Sequence, residues 1–254
     1  MIGALLPGQV PIEVASLLIV ASFFTSALTA AAGIGGGLLM LALMTYVIPA
    51  GALIPVHGLV QLGSNSSRTI VQRKYIDWRI TRIFLAGCLL GAAIGVVLVV
   101  QLPEGVLETA LGLFIIFMAW IKLPALRNAN ASTIGMGGIV TTFISMFVGA
   151  TGPLVAVFLI NLFDQHRRLV ATHAATMMAQ HFIKIVAFGF AGFAFYQWLP
   201  LVVAMVISGF LGVSAGTMLM NRLPEKTLQI LFKITLTLVS LDLLRRGLQT
   251  LAQA

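Results

Sequence analysis

Gly33-Ile34-Gly35-Gly36-Gly37 stands near the start of the chain, and Gly149-Ala150-Thr151-Gly152-Pro153 answers it later. Each run leads through a short apolar stretch into a segment carrying polar groups. In the first copy these are His57, Gln61, Ser64, Asn65 and Arg68, and in the second His173, Thr176, Gln180, His181 and Lys184. Subtracting 33 from 149, 57 from 173, 65 from 181 and 68 from 184 gives 116 each time. The echo is a register and not a likeness of composition. Within a copy the polar residues recur at or close to i, i+4, i+7, i+8 and i+11, which is one face of an α-helix. Eleven steps of about 1.5 Å make a polar stripe roughly 16 Å long, about half the hydrocarbon thickness of a bilayer. That length suits the wall of a path better than a single contact.

The rest of the composition says where such a path would lie. Of 254 residues, 59% are hydrophobic and only 9% charged, with a mean hydropathy of +1.06. A soluble domain carries about a quarter charged residues. Apolar runs follow one another with little between them, so the backbone must satisfy itself in helices within a membrane. The net charge of +8 is spread over the ends of those runs, as the positive-inside rule expects, and makes no patch for nucleic acid. Cys88 is the single cysteine, which excludes an internal disulfide and a cysteine-built metal site. No Lys or Arg precedes Arg68, so Val14 to Ala32 reads as a retained membrane segment and not as a cleaved leader.

Ten apolar segments emerge, at about 14–32, 38–48, 53–72, 83–101, 106–122, 134–148, 154–163, 169–193, 199–220 and 228–244. The second and seventh are too short to cross, since a span needs about 20 residues. Following glycine breaks, they read as half-helices or re-entrant pieces, which leaves eight to ten full spans. The repeat runs on beyond the stripe: Trp78 answers Trp198, Gly91 and Gly95 answer Gly212 and Gly216, and Leu102-Pro103-Glu104 answers Leu223-Pro224-Glu225, at offsets of 120 to 121. The Gly-xxx-Gly pairs predict close helix packing. The polar stretch Lys122 to Ser132 separates a first repeat, residues 1–125, from a second, residues 126–254. All of this forms one membrane domain.

Arg73, Lys74, Arg79 and Arg82 place the loop after the third segment in the cytoplasm, and Glu104 and Glu108 place the next one outside. The alternation puts Lys122, Arg127, Arg167, Arg168, Arg222 and Lys226 on the cytoplasmic side and both termini outside. Arg245 and Arg246 fit this less well. Five segments per half turn the second copy upside down, the inverted-repeat plan of secondary transporters, with the site near mid-membrane where broken helices meet. The fold expected is thus an all-α polytopic membrane protein of two inverted repeats, about five helical segments each, broken at the glycine motifs. Asn65 and His181 are expected to approach each other.

The glycine runs follow apolar helices and not strands, so they are no dinucleotide fingerprint. As breaks, they would turn the free amides near Gly35, Gly36, Gly37, Thr151 and Gly152 toward an anion. Ser64, Asn65, Gln180 and His181 lie deep, where unpartnered polar groups are costly. Arg68 either snorkels to the nearby face or joins Lys184 in raising the local positive potential. His57 and His173 are expected near opposite openings, where a coupled proton would be handled. None of Glu13, Asp77, Glu104, Glu108, Asp164, Glu225 and Asp242 falls in a stripe or a break, which argues against a cation site and for an anion site. No metal or other cofactor is called for. Trp78, Trp120 and Trp198 read as interface anchors, and Asp242 with Arg245 and Arg246 as a helix-surface pair.

Gly33 to Leu39, with the basic stretch and Asp77-Trp78-Arg79 that follow, resembles the TauE/SafE family of sulfite exporters. Gly149 to Leu154, with its apolar run ending in Asn161, is similar to that family's second half, and the resemblance covers nearly the whole chain. It implies a multi-pass inner-membrane carrier that moves sulfite or another small sulfur-containing anion, usually outward, with membrane lipid as its other partner. One position departs from the pattern: Thr151 stands where the second copy often has glycine, so its hydroxyl would either contact the anion or retune the site. Sulfite's second ionisation lies close to neutral pH, which makes proton coupling chemically natural. The rival readings are an anion channel or uptake carrier for sulfoacetate or a similar organosulfur anion, a membrane enzyme using the histidines, and a structural membrane protein. The enzyme lacks carboxylates at the segment centres.

Overall fold

The computed structural model describes residues 10–32, 35–99, 102–121, 123–124, 126, 129–219 and 225–253, with backbone only at 31, 32, 219, 225–229, 231 and 232. Gly33, Ile34, Lys122, Arg127, Asn128, Arg222, Leu223 and Pro224 lie outside the described residues, as do the side chains of Glu225 and Lys226.

Among the described residues every regular element is helical. The ten α-helices are α1 (Ile12–Ala32), α2 (Gly36–Met44), α3 (Ala50–Val71), α4 (Trp78–Val99), α5 (Glu104–Trp120), α6 (Ala131–Val148), α7 (Gly152–Leu159), α8 (His166–Phe190), α9 (Leu199–Leu219) and α10 (Glu225–Ala252). Each expected segment has its helix, and the glycine runs lead straight into the two short ones, since α2 begins at Gly36 and α7 at Gly152. Four described helices are long and apolar enough to cross a membrane: α1, α4, α6, and α9 with the turn before it. The expected count of eight to ten spans is therefore met only in part on that measure. At 22 and 25 residues α3 and α8 are long enough, but their polar stripes dilute their apolarity. At 17 residues α5 sits at the short end of what spans a bilayer.

Small residues decide which helices touch. Along α4, Gly87 faces the Gly135 carbonyl, Gly91 the Ile139 carbonyl and Gly95 the Met146 side chain, so α4 and α6 run parallel in close contact. Gly212 and Gly216 of α9 face the Phe23 and Ala27 carbonyls, so α9 runs parallel to α1 in the same manner. A methyl at any of these glycines would strike a neighbouring helix, which is how small-xxx-small stripes let helices approach. The opposite faces of these helices expose Leu17, Phe24, Leu90, Ile94, Ile207 and Leu211, an apolar surface suited to lipid.

The stripe helices α3 and α8 pack against each other between these pairs and run antiparallel. The His57 and His181 rings are 6.0 Å apart, while Asp77, beyond the end of α3, donates its backbone N–H to Thr172 near the start of α8 at 3.0 Å. Helices α5 and α10 are antiparallel too: Gly105 abuts Gly247 and Leu251, and Trp120 Nε1 donates to Thr237 at 2.9 Å. Replacing each helix by the one five places away exchanges the α1–α9 and α4–α6 pairs and leaves the α3–α8 and α5–α10 pairs in place.

Helices α2 and α7 turn back on the helices before them. Gly36 presses on the Thr25 carbonyl and Thr29 hydroxyl of α1, and Thr25 Oγ1 reaches Met40 Sδ at 3.6 Å. Gly137 of α6 faces the Phe158 ring of α7, and Leu126, ahead of α6, donates its N–H to the Val157 carbonyl at 3.2 Å. Both pairs are helical hairpins, with Gly35 and Gly149 at the turns.

One end of the bundle gathers Arg73, Lys74, Arg79, Arg82, Arg167 and Arg168 around the α3–α4 turn and the start of α8. Arg168 meets Asp77 at 3.6 Å and Arg167 donates to the Tyr75 hydroxyl at 3.2 Å. The other end carries Glu104. There Arg245 and Arg246 pair with Asp242 at 2.7 and 3.1 Å, and Arg246 also donates to the Thr45 carbonyl below α2 at 3.1 Å. Of the three tryptophans, Trp78 and Trp120 are exposed as anchors should be, whereas Trp198 is buried in the main apolar core and is no interface anchor.

Candidate functional site

Between the two hairpin tips lies a small cavity of about 30 Å³, room for about two waters. The first tip contributes Gly35, Gly37 and Leu38, and the second Ala150, Gly152 and Pro153. The stripe of α3 contributes His57, Gln61, Asn65 and Arg68, that of α8 His173, Met177 and His181, and α1 adds Thr29. Asn65 and His181 line the same space, the meeting expected from the register.

Each break is shaped by backbone that glycine tolerates. Gly35 has φ 108° and Gly149 φ 77°, both in the region L side chains seldom adopt. Neither α2 nor α7 has a side-chain cap at its N-terminus, whereas α6 is capped by Asn130, whose side chain accepts from the Thr133 N–H at 2.9 Å. The first amides of a helix have no partner inside it, so both uncapped ends bring a partial positive charge to the cavity. Pro153 suits its place in the first turn of α7, where its missing N–H costs nothing.

Two histidines clasp these half-helices by equivalent bonds. His57 Nε2 lies 2.9 Å from the Gly37 carbonyl, and His173 Nε2 lies 2.9 Å from the Gly152 carbonyl. A carbonyl only accepts, so Nε2–H donates in both, and Nδ1 carries the lone pair. Nδ1 of His57, His173 and His181 is buried without a partner. The expectation that His57 and His173 guard opposite openings is corrected: both sit on the one cavity, because the tips reach them about two turns inside their helices.

Arg68 is 2% exposed and does not snorkel. Its Nη2 donates to Asn65 Oδ1, while Nε and Nη1 have no partner. Asn65 is itself aimed by its Nδ2, which donates to the Gln61 carbonyl at 2.7 Å. Among the described residues no Asp or Glu is buried, and no ion pair includes Arg68 or Lys184. A guanidinium in such surroundings pays heavily for its charge unless a negative group arrives. Three histidines on one cavity raise the thought of a metal, but no metal-holding cluster of His, Cys, Asp or Glu exists among the described residues.

The remaining expected site residues lie behind the cavity wall. Gly36 packs on α1, and Ser64 shares a hydrogen bond with Ser26 at 3.1 Å. Gln180 Nε2 donates to Thr151 Oγ1 and the Thr141 carbonyl, so its donors are spent within the second half while its Oε1 is buried without a partner. Lys184 Nζ donates to the Gly149 carbonyl at 2.8 Å and to Ser145 Oγ at 3.1 Å. Conversely Thr29, Leu38, Gln61, Ala150, Pro153 and Met177 reach the cavity without having been singled out as site residues. The register held a signal for one of them, since Met177 is the 116-residue counterpart of Gln61.

A second and larger cavity, about 270 Å³, opens near the Glu104 end, between the start of α3 and the end of α8. Ile54 and Phe188 at its floor lie three and four residues along their helices from His57 and Lys184, about one helical turn away.

The family model described as Sulfite exporter TauE/SafE matches residues 18–243, a stretch that holds both breaks, both stripes and every residue on the central cavity. No curated protein and no solved structure matches the chain. With nearly the whole chain covered, this multi-pass membrane protein belongs to the TauE/SafE family of sulfite exporters.

Proposed function

We propose that the protein is a secondary carrier that exports sulfite or a related small sulfur oxyanion, binding it between the two hairpin tips. One observation carries the reading: Arg68 is buried with two unmet donors on a cavity that has no carboxylate among the described residues and is flanked by two uncapped helix N-termini. An oxyanion supplies the acceptors these donors lack, and a planar guanidinium suits its oxygens. In this reading the amides near Gly35, Gly37 and Gly152 and the side chains of Arg68, Asn65 and His181 contact the anion. Gly36, Ser64, Thr151 and Gln180 hold those groups in place.

The space between the tips is small, and in this reading the tips part slightly to admit an anion. The larger cavity near Glu104 serves as the approach from one side, with the Ile54 and Phe188 layer between it and the site. The antiparallel α3–α8 pair and the exchangeable α1–α9 and α4–α6 pairs support a molecule of two inverted halves, residues 1–125 and 126–254. The basic end then faces the cytoplasm and the Glu104 end the exterior of the inner membrane. His57 and His173 each present an unpartnered Nδ1, so proton uptake there accompanies the anion and relieves lone pairs that would otherwise face negative charge.

The test is binding of sulfite, sulfate, thiosulfate and sulfoacetate to the purified protein from about pH 5.5 to about 8, across the ordinary histidine range. Flux into proteoliposomes under imposed pH gradients completes it. Saturable, gradient-dependent flux with matching binding supports the carrier. Unsaturable flux indifferent to the gradient replaces it with a channel, and no binding of any of the four anions removes the anion reading.

A further inference from the structure

The register that pairs His57 with His173 also pairs Arg68 with Lys184, since 184 less 68 is 116. The two cations hold equivalent places on α3 and α8, yet their donors are spent differently. Arg68 lies on the cavity with Nε and Nη1 unused. Lys184 is fully buried off the cavity, with Nζ bound to the Gly149 carbonyl and Ser145 Oγ. Ser145 Oγ donates to the same Gly149 carbonyl at 3.2 Å, so one backbone oxygen collects an ammonium and a hydroxyl.

Gly149 ends α6, where the last carbonyls have no donors of their own and a cation meets the negative end of the helix dipole. The lysine reaches it by passing over Gly58 of α3, where an added Cβ would stand 3.1 Å from Lys184 Cε. The counterpart of Ser145 is Thr29, and it lines the cavity. The two halves have divided the work of a duplicated cation.

We infer that Lys184 is a positioning residue that pins the second break through Gly149, and that the anion is held off-centre, on the Arg68 side of the cavity. This rests on reading the cavity as an anion site. If Lys184 acts by holding a carbonyl, N–H donation must be kept and charge need not be. Lys184→Gln keeps N–H donors and removes the charge, whereas Lys184→Met removes both.

The experiment measures sulfite and sulfoacetate affinity of the full-length purified variants. Alongside it runs the rate at which a small maleimide labels Ala150→Cys, at the second tip, in a Cys88→Ala background. The expected result is affinity within about threefold of wild type for the Gln variant and about tenfold weaker for the Met variant, with faster labelling only in the latter. Arg68→Gln is expected to lose anion affinity with labelling unchanged. Equal affinity losses in the Gln and Met variants with labelling unmoved would mean that Lys184 acts by its charge on the anion, and would overturn the inference. Should wild-type protein bind neither anion, the functional reading falls, and the labelling contrast between the two Lys184 variants still decides whether this residue pins the tip.

Discussion

Gln180 Nε2 donates to Thr151 Oγ1 across 2.8 Å, both residues being fully buried and neither lining the central cavity. The same Nε2 reaches the Thr141 carbonyl at 3.0 Å, so a single amide ties α6, the second break and α8 together. Thr151 is thus turned toward its own scaffold and away from the ligand space.

Replacing Thr151 by Gly would strand one donor of a buried amide. The expected cost is about 1–3 kcal/mol, read as a lower melting temperature in detergent. The order in which the four sulfur anions bind is expected to stay as in wild type. A changed order would mean that the hydroxyl touches the anion after all.

Arg68→Leu separates binding from stability by opposite signs. An unpaired buried charge is a liability to the empty protein, so the variant is expected to match or exceed wild type in stability without ligand, by about 1 kcal/mol or more. It is also expected to lose the rise in melting temperature that sulfite gives wild type, since only ligand that binds the native state stabilises it. A strongly destabilised variant would recast Arg68 as a structural residue.

His57→Gln and His173→Gln place an amide N–H near the position of Nε2 while removing the titratable Nδ1. Each is expected to keep anion binding and to flatten its dependence on pH. Two variants with unaltered pH profiles would take proton handling away from these histidines.

Glycines along the parallel pairs differ in tolerance. A Cβ at Gly91 would meet the backbone of Ile139, and Gly91→Ala is expected to cost about 1–3 kcal/mol as an overpacked contact. At Gly135 the nearest atom is a side-chain methyl of Ile83 at 3.9 Å, so Gly135→Ala is expected to be neutral or stabilising by up to about 1 kcal/mol. Thermal unfolding of the two single variants checks the contrast.

Sidedness is open to a labelling test because native Cys88 is buried and silent. Gly51→Cys, on the exposed rim of the larger cavity, is expected to react with an impermeant maleimide added outside intact cells. Arg167→Cys, at the basic end, is expected to react only after the cells are opened. The reverse pattern would invert the molecule.

Much of this architecture was legible before any coordinates. Most segment edges came within about five residues because hydropathy changes sharply where a helix leaves lipid, but α10 runs on to Ala252, well past the expected end at 244, because its last turns are polar. The half-helices at 36–44 and 152–159 were readable because glycine runs interrupt apolar stretches too short to cross. Equivalence of His57 with His173 and of Asn65 with His181 followed from a constant offset, which survives any rotation of the helices. What a repeat register cannot convey is which carbonyl a given donor meets. Arg68 and Lys184 are the same distance along equivalent helices. Yet one is left facing a cavity and the other is spent on Gly149, because that choice depends on the depth and tilt of the hairpin tips. The depth of His57 and His173 was hidden for the same reason, since position along a helix gives distance from its end but not the place where a folded-back hairpin stops. Chain chemistry alone determined that polar stripes and breaks would face each other within a membrane. Only the packing of α2 and α7 against them decided which polar atoms are consumed by the scaffold and which remain for a ligand.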